Sequence, residues 1–184
     1  AVRELRRKLS HKYEIDPESI LVGNGAAELI DLIIRVLQPG TTGLARPSFS
    51  EYEEAVHKTG GGLTNLPLLP LNHFELQWQD IEATLPAVDL FFLGHPNNPT
   101  GKLLPHPVLN RLLQSQRKLV LDEAFMDFVP QEEEHSLLKL ASSSHDLIVI
   151  RSMTKFYSIP GIRLGFVVAH PDLIQQLRHQ QVQW

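Results

Sequence analysis

The chain has 184 residues, enough for one domain, or one and part of a second, at roughly 150 residues per domain. Apolar residues make up 42 % and charged residues 21 %, a globular balance that excludes disorder over most of the length. It contains no cysteine, which excludes disulfide scaffolds, thiolate zinc sites, iron–sulfur clusters and cysteine nucleophiles together. Its 17 basic and 21 acidic residues, net −4, leave no electrostatic footprint for nucleic acid. Apolar runs such as Leu90–Leu93 and Leu147–Ile150 are far too short to span a bilayer. The opening, Ala1-Val2-Arg3-Glu4, has neither an initiator methionine nor the apolar stretch of a signal peptide. The expectation is a cytoplasmic chain entered partway along a longer protein.

In chain order, residues 2–11 set a basic face (Arg3, Arg6, Arg7) against Leu5 and Leu9, as a short amphipathic helix does. Asp16-Pro17-Glu18 is a turn, and Ile20-Leu21-Val22 a buried strand broken by Gly23-Asn24-Gly25. From Ala26 to Leu37, Leu29, Ile30, Ile33, Ile34 and Leu37 recur at helical spacing until Pro39-Gly40. A strand before Pro47 leads to a helix at Glu51–Lys58, and Leu63–Leu71 is extended and broken by proline. A helical turn at Asp80–Leu85 precedes the apolar strand Val88–Leu93. The second half alternates more cleanly: a polar loop from His95 to Lys102, a helix at Pro107–Gln116, then the strand Lys118–Leu121. Gln131–His135 reads as a solvated acidic loop. Asp146–Ile150 and Gly165–Ala169 are strands, and a polar helix runs from Pro171 to the end. This alternation predicts a three-layer α/β/α fold around a mostly parallel sheet.

Polar residues gather where these strands end. Gly23-Asn24-Gly25, Asn97-Asn98, Asp122-Glu123 and Ser152-Met153-Thr154-Lys155 each follow an apolar strand, and open parallel sheets bind ligands outside those ends. Lys155, just past a buried strand, is either a surface lysine or a partly desolvated nucleophile able to form Schiff bases with aldehydes. Ser152 and Arg163 can clamp a phosphate, and the helix start at Gly25-Ala26-Ala27 presents free N–H groups to an anion. That turn lacks the lysine of a P-loop and the third glycine of a dinucleotide fingerprint. Asp122 is a helix cap, an ion-pair member or a ligand-facing carboxylate, and in any of these roles it needs a partner. The nine histidines show neither an HExxH spacing nor a close pair, so no metal site is expected. Ser48 and Ser50 lack the G-x-S-x-G elbow of serine hydrolases.

Taken together, His95-Pro96-Asn97-Asn98-Pro99-Thr100-Gly101, Asp122-Glu123-Ala124-Phe125, Ser152-Met153-Thr154-Lys155 and Arg163-Leu164-Gly165 resemble fold-type I pyridoxal-phosphate (PLP) enzymes of the class I/II aminotransferase group. The resemblance implies that Lys155 attaches the cofactor aldehyde, Asp122 pairs with the pyridinium nitrogen and Asn98 bonds the ring's 3-hydroxyl oxygen. It places the phosphate on the backbone of Gly25, Ala26 and Ala27 with Ser152 and Arg163, and Phe49 on the ring face. Phe125 departs from the tyrosine that many of these aminotransferases, histidinol-phosphate aminotransferases among them, carry there. The run from Ile150 to Gly161 is most similar to threonine-phosphate decarboxylases of cobalamin biosynthesis, and Asp122–Phe128 and Gln180–Trp184 agree.

The resemblance further implies a small amino-acid substrate, a homodimer, and no nucleic-acid or membrane partner. Residues 1–170 would form the PLP-binding large domain, incomplete at its N-terminus. Residues 171–184 would begin the helix leading to a small C-terminal domain. Decarboxylation of O-phospho-L-threonine, transamination, and cofactor holding without turnover are the three functions this allows.

Overall fold

A computed structural model describes residues 2–159 and 161–182. Ala1, Pro160, Gln183 and Trp184 lie outside the described residues, the last two with the end of the predicted C-terminal helix. Short extended segments form the strands, the central ones being the apolar runs. Seven of them, β1 (Ile20–Gly23), β2 (Thr41–Arg46), β3 (Gly62–Pro67), β4 (Leu90–Gly94), β5 (Lys118–Asp122), β6 (Leu147–Ser152) and β7 (Gly165–Val168), join in one sheet. Their order is β1-β7-β6-β5-β4-β2-β3. Pairing is parallel from β6 to β3, while β7 runs antiparallel to both β1 and β6.

Alternation along each strand divides the core in two. Leu90, Phe92, Val120, Ile148, Ile150 and Val167 face α2 (Gly25–Leu37), α3 (Ser50–Lys58) and α8 (Pro171–Gln180). Phe91, Leu93, Leu119, Leu121, Leu147, Val149 and Phe166 face the opposite layer. That layer contains α1 (Val2–Tyr13), α4 (Trp78–Glu82), α5 (His106–Gln114), α6 (Glu132–His135) and α7 (Leu138–Ala141). This is the three-layer α/β/α arrangement. A parallel sheet covered by helices has no solvated face at its centre, which is why β4, β5 and β6 are mostly apolar up to their carboxyl ends, while β2 and the edge strand β3 carry Thr41, Thr42, Thr64 and Asn65.

Helix α2 anchors the first layer. Leu29, Ile30, Leu32, Ile33 and Ile34 are each at most 1 % exposed, and burial of one such side chain contributes about 1.5–3 kcal/mol. The helix ends with Gln38 in the left-handed region, its N–H bonded to Ile34 O. Strand order reverses between β2 and β4, so the segments after these two strands diverge and leave a crevice at their carboxyl ends.

One segment differs from expectation. Gln131–His135 is solvated at Gln131, Glu133 and Glu134 but is not a loop: Glu132–His135 forms α6, and Glu132 reaches inward to the buried Arg151 at 2.9 Å. A run of three glutamates favours a solvated face, but it says nothing of a guanidinium 19 residues further along the chain.

Candidate active site

The crevice holds a cavity of about 240 Å³. Each element brings its own contribution. The first turn of α2 supplies Gly25, Ala26 and Ala27, and the residue before α3 supplies Phe49. The segment after β4 supplies Asn98, the end of β5 Asp122, and the end of β6 Ser152. Lys155 and Arg163 come from the connection between β6 and β7. All nine residues singled out from the sequence line this one cavity.

The start of α2 is built for close approach. Gly25 has φ +81°, and a Cβ there would stand 3.2 Å from Arg163 Nε. Gly165 of β7 lies directly beneath, where a Cβ would come within 3.1 Å of Ala26 N and 3.0 Å of the Gly25 carbonyl carbon. Asn24 makes no side-chain cap, so the first amides of α2 keep their hydrogen-bonding capacity for an anion.

Asp122 is 6 % exposed. Its Oδ2 accepts a 2.6 Å hydrogen bond from the Tyr52 hydroxyl, and its Oδ1 accepts from Ala124 N at 3.0 Å. Burial pushes the Asp122 carboxyl up from its ordinary value, against the pull of those two bonds and of Lys155. Burial, reinforced by Asp122, pushes Tyr52 well above the ordinary tyrosine range. Tyr52 therefore stays protonated and donates.

Tyr52 is the residue that sequence reasoning missed. It stacks on Phe92 at 4.4 Å and meets Phe49 edge-on at 5.7 Å. Its position in the buried stripe Tyr52, Ala55, Val56 reads as plain helix packing, and its polar partner lies 70 residues away.

Lys155 is solvent-exposed over much of its length, yet its ammonium sits 3.6 Å above the centre of the Phe125 ring. Loss of water there lowers its pKa. Arg163 lowers it further and Asp122 opposes both. Lowering favours the free amine, the form that attacks an aldehyde.

The Asn98 segment is set from below. His95 is 2 % exposed; its Nδ1 accepts from Leu104 N at 3.0 Å, which leaves Nε2 to donate to His135 O at 3.1 Å. Burial lowers its pKa to about 4. Asn97 donates to Pro47 O and Thr100 Oγ1, at 3.1 and 3.0 Å, and so ties the β4 segment to the one after β2.

Two histidines also meet away from the cavity. The rings of His145 and His170, separated by 25 residues, stack with centroids 3.7 Å apart, and Asp172 lies alongside. One ligand atom from each of the three lies within 4.8 Å of the others, and His170 Nδ1 accepts from Asp172 N at the start of α8. Among the described residues no helix is long and apolar enough to cross a membrane.

A lysine, a buried carboxylate and a helix start with uncapped amides thus meet in one cavity. The chain matches the family Aminotransferase class I and II over residues 1–184, and it belongs to that family. It is 34 % identical to a threonine-phosphate decarboxylase of Salmonella typhimurium over 98 % of this chain and 50 % of that protein. To a histidinol-phosphate aminotransferase of Francisella philomiragia it is 33 % identical, over 96 % and 50 %. The crystal structure of the histidinol-phosphate aminotransferase from Clostridium acetobutylicum superposes with a TM-score of 0.86 at 27 % identity, covering 100 % of this chain and 55 % of that one. The chain spans about half the length of the curated relatives it matches.

Proposed function

We propose that this chain forms the PLP-binding part of an amino-acid enzyme, and that the enzyme is a decarboxylase of O-phospho-L-threonine. The observation that supports it best is one cavity holding Lys155 with a lowered pKa, the buried Asp122–Tyr52 pair and the glycine-opened start of α2 beside Arg163. The residues fit the cofactor: the absent Cβ of Gly25 lets the Arg163 side chain lie against the start of α2, so that amides, a hydroxyl and a guanidinium gather as donors for a phosphate.

In this reading Lys155 Nζ holds the aldehyde carbon. Ser152, Arg163 and the amides of Gly25–Ala27 hold the phosphate, and Phe49 covers one ring face. Asn98 bonds the 3-hydroxyl oxygen. Asp122, ionised and braced by Tyr52, keeps the ring nitrogen protonated. When bound, the cofactor supplies an electron sink; the protein selects which substrate bond aligns with it.

Phe125 and the Ile150–Gly161 run favour decarboxylation. A second reading, transamination of histidinol phosphate, is supported by the 33 % identical relative. In a third, the chain holds cofactor without turnover; the coexistence of Lys155, Asp122 and Asn98 in one cavity speaks against it for the whole protein. In this reading residues 1–170 form the large domain and 171–184 begin the helix leading out of it, a helix whose Ile174 and Leu177 are themselves buried in the core beside α2. The whole protein is a homodimer, in keeping with exposed Phe128, Phe156, Tyr157 and Ile162, 45–61 % accessible.

The test is substrate feeding to the PLP-loaded full-length protein. Release of CO2 and formation of the amino-alcohol phosphate from O-phospho-L-threonine supports the decarboxylase. Amino transfer from histidinol phosphate to a 2-oxo acid, with no CO2 from phosphothreonine, overturns it for the aminotransferase. Failure on a wide amino-acid panel favours the non-catalytic reading.

A further inference from the structure

Glu123 follows Asp122 and Arg151 precedes Ser152, so strand alternation sends both to the face opposite the cavity. There the Arg151 side chain is 2 % exposed and that of Glu123 0 %. Arg151 Nε donates to Glu123 Oε2 at 2.9 Å, and Nη2 to Ser136 Oγ at 3.0 Å. Nη1 donates to Glu132 Oε2 at 2.9 Å and lies 3.4 Å from Asp127 Oδ2. Ser136 in turn donates to Glu123 Oε2, and Leu137 N to Glu123 Oε1.

A buried ion pair is weak evidence for stability, because desolvation offsets much of the attraction. What matters here is where the carboxylates sit. Glu123 and Asp127 bracket Ala124-Phe125-Met126, a turn closed by Met126 N on Glu123 O at 3.0 Å. Phe125 carries the Lys155 ammonium on its ring. Asp122, which also acts on Lys155, immediately precedes the bracket. The planar, five-donor guanidinium can hold both ends of this turn; a lysine, as a point charge, cannot.

We infer that Arg151 is a positioning residue, which grips Glu123 and Asp127 from behind the sheet and so holds Phe125 and Asp122 against Lys155. This rests on the reading of Lys155 as the cofactor-attaching group. The charged groups acting on Lys155 are Asp122 from β5 and Arg163 from the segment before β7, and neither is changed by substitution at position 151.

The experiment compares Arg151→Lys with Leu112→Ala, a core change in α5 remote from the cavity. It has two readouts: PLP affinity from the absorbance of the lysine-bound cofactor, and the pH dependence of Lys155 acylation in cofactor-free protein, mapped by mass spectrometry. Arg151→Lys is expected to weaken PLP binding about tenfold or more. It should also move Lys155 acylation to higher pH, toward that of exposed lysines, as water reaches the loosened site. Leu112→Ala should lower stability and leave both readouts unchanged. An Arg151→Lys protein that is less stable but matches wild type in both readouts overturns the proposal. Should Arg151→Lys not fold, Asp127→Asn leaves Arg151 paired with Glu123 and Glu132 and must show the same shifts in smaller measure; no shift there overturns the proposal equally. Failure of the cofactor reading looks different, because wild type would then form no lysine-bound band, and the acylation arm would still decide the role of Arg151.

Discussion

The Tyr52 hydroxyl donates to Asp122 Oδ2 across 2.6 Å, joining the first turn of α3 to the end of β5 inside the cavity wall. Without that bond, a buried carboxylate would keep Ala124 N as its one hydrogen-bond donor among the described residues. Tyr52→Phe keeps the ring stack on Phe92 and removes only the donor. Stability should fall by about 1.5–3 kcal/mol, the worth of a hydrogen bond to a charged group. The Asp122 pKa should rise further, so the acid limb of PLP binding should move to higher pH. Affinity titrations across pH check this; an acid limb unchanged from wild type would show that Tyr52 does not brace the carboxylate.

Lys155 should be the single point of covalent attachment. Borohydride reduction of the PLP-loaded protein should place the cofactor on Lys155 and no other lysine in a peptide mass map. Lys155→Ala should abolish the visible absorbance band. An adduct on another lysine would reassign the site.

The cradle at the start of α2 depends on the left-handed backbone of Gly25. Gly25→Ala forces a β-carbon into that conformation, at a cost of about 1–3 kcal/mol, and crowds Arg163. Phosphate-dependent affinity should drop: the variant should lose more affinity for PLP than for pyridoxal, which has no phosphate. Equal losses for the two would mean that Gly25 does not serve the phosphate.

His95 makes stability fall on acidification. Its folded-state pKa is about 4 against the ordinary 6.5, so between these values the unfolded chain takes up a proton that the folded chain refuses. The contribution of neutral His95 is complete above pH 6.5 and is lost as pH falls toward 4, about 3 kcal/mol in all. His95→Gln keeps a donor for His135 O and does not titrate. Denaturant unfolding at pH 7 and pH 4.5 should show a smaller acid loss for that variant than for wild type, and identical losses would exclude His95 as the sensor.

The strands and α2 are legible in the sequence because burial on both faces demands uninterrupted apolar runs, as in Leu90-Phe91-Phe92-Leu93. Asp122 and Lys155 are legible because a strand end is an odd place for an unpartnered charge, and Arg163 because it pairs with Ser152 as a phosphate clamp. Partners distant along the chain leave no such trace. Tyr52 looks like any aromatic in a buried stripe, and Glu132 looks solvated beside Glu133 and Glu134. The stacked His145 and His170 are invisible to any local spacing. The direction of β7 is hidden too, since Gly165-Phe166-Val167-Val168 reads alike whichever way it pairs. The Glu123–Arg151 clamp lies between these cases. Both residues neighbour a cavity residue on their strands, and alternation alone sends them to the opposite face, but no pattern shows that they meet.

Asp122 itself separates an electronic role from a structural one. Facing the ring nitrogen, its charge raises that nitrogen's pKa and keeps the ring cationic, which makes the cofactor an effective electron acceptor. Asp122→Asn keeps the shape and can still bond Tyr52, but it carries no charge. PLP should therefore still attach to Lys155, with its absorbance band present, while the full-length enzyme loses most of its turnover. Each unit of pKa lost on the ring corresponds to about 1.4 kcal/mol, so a change of a few units costs orders of magnitude in rate. Were Asp122 only a cap for Ala124 N, the same substitution would shift stability slightly and leave turnover intact. Steady-state kcat beside the absorbance spectrum decides it: near-wild-type kcat with the band formed would end the electronic role of Asp122.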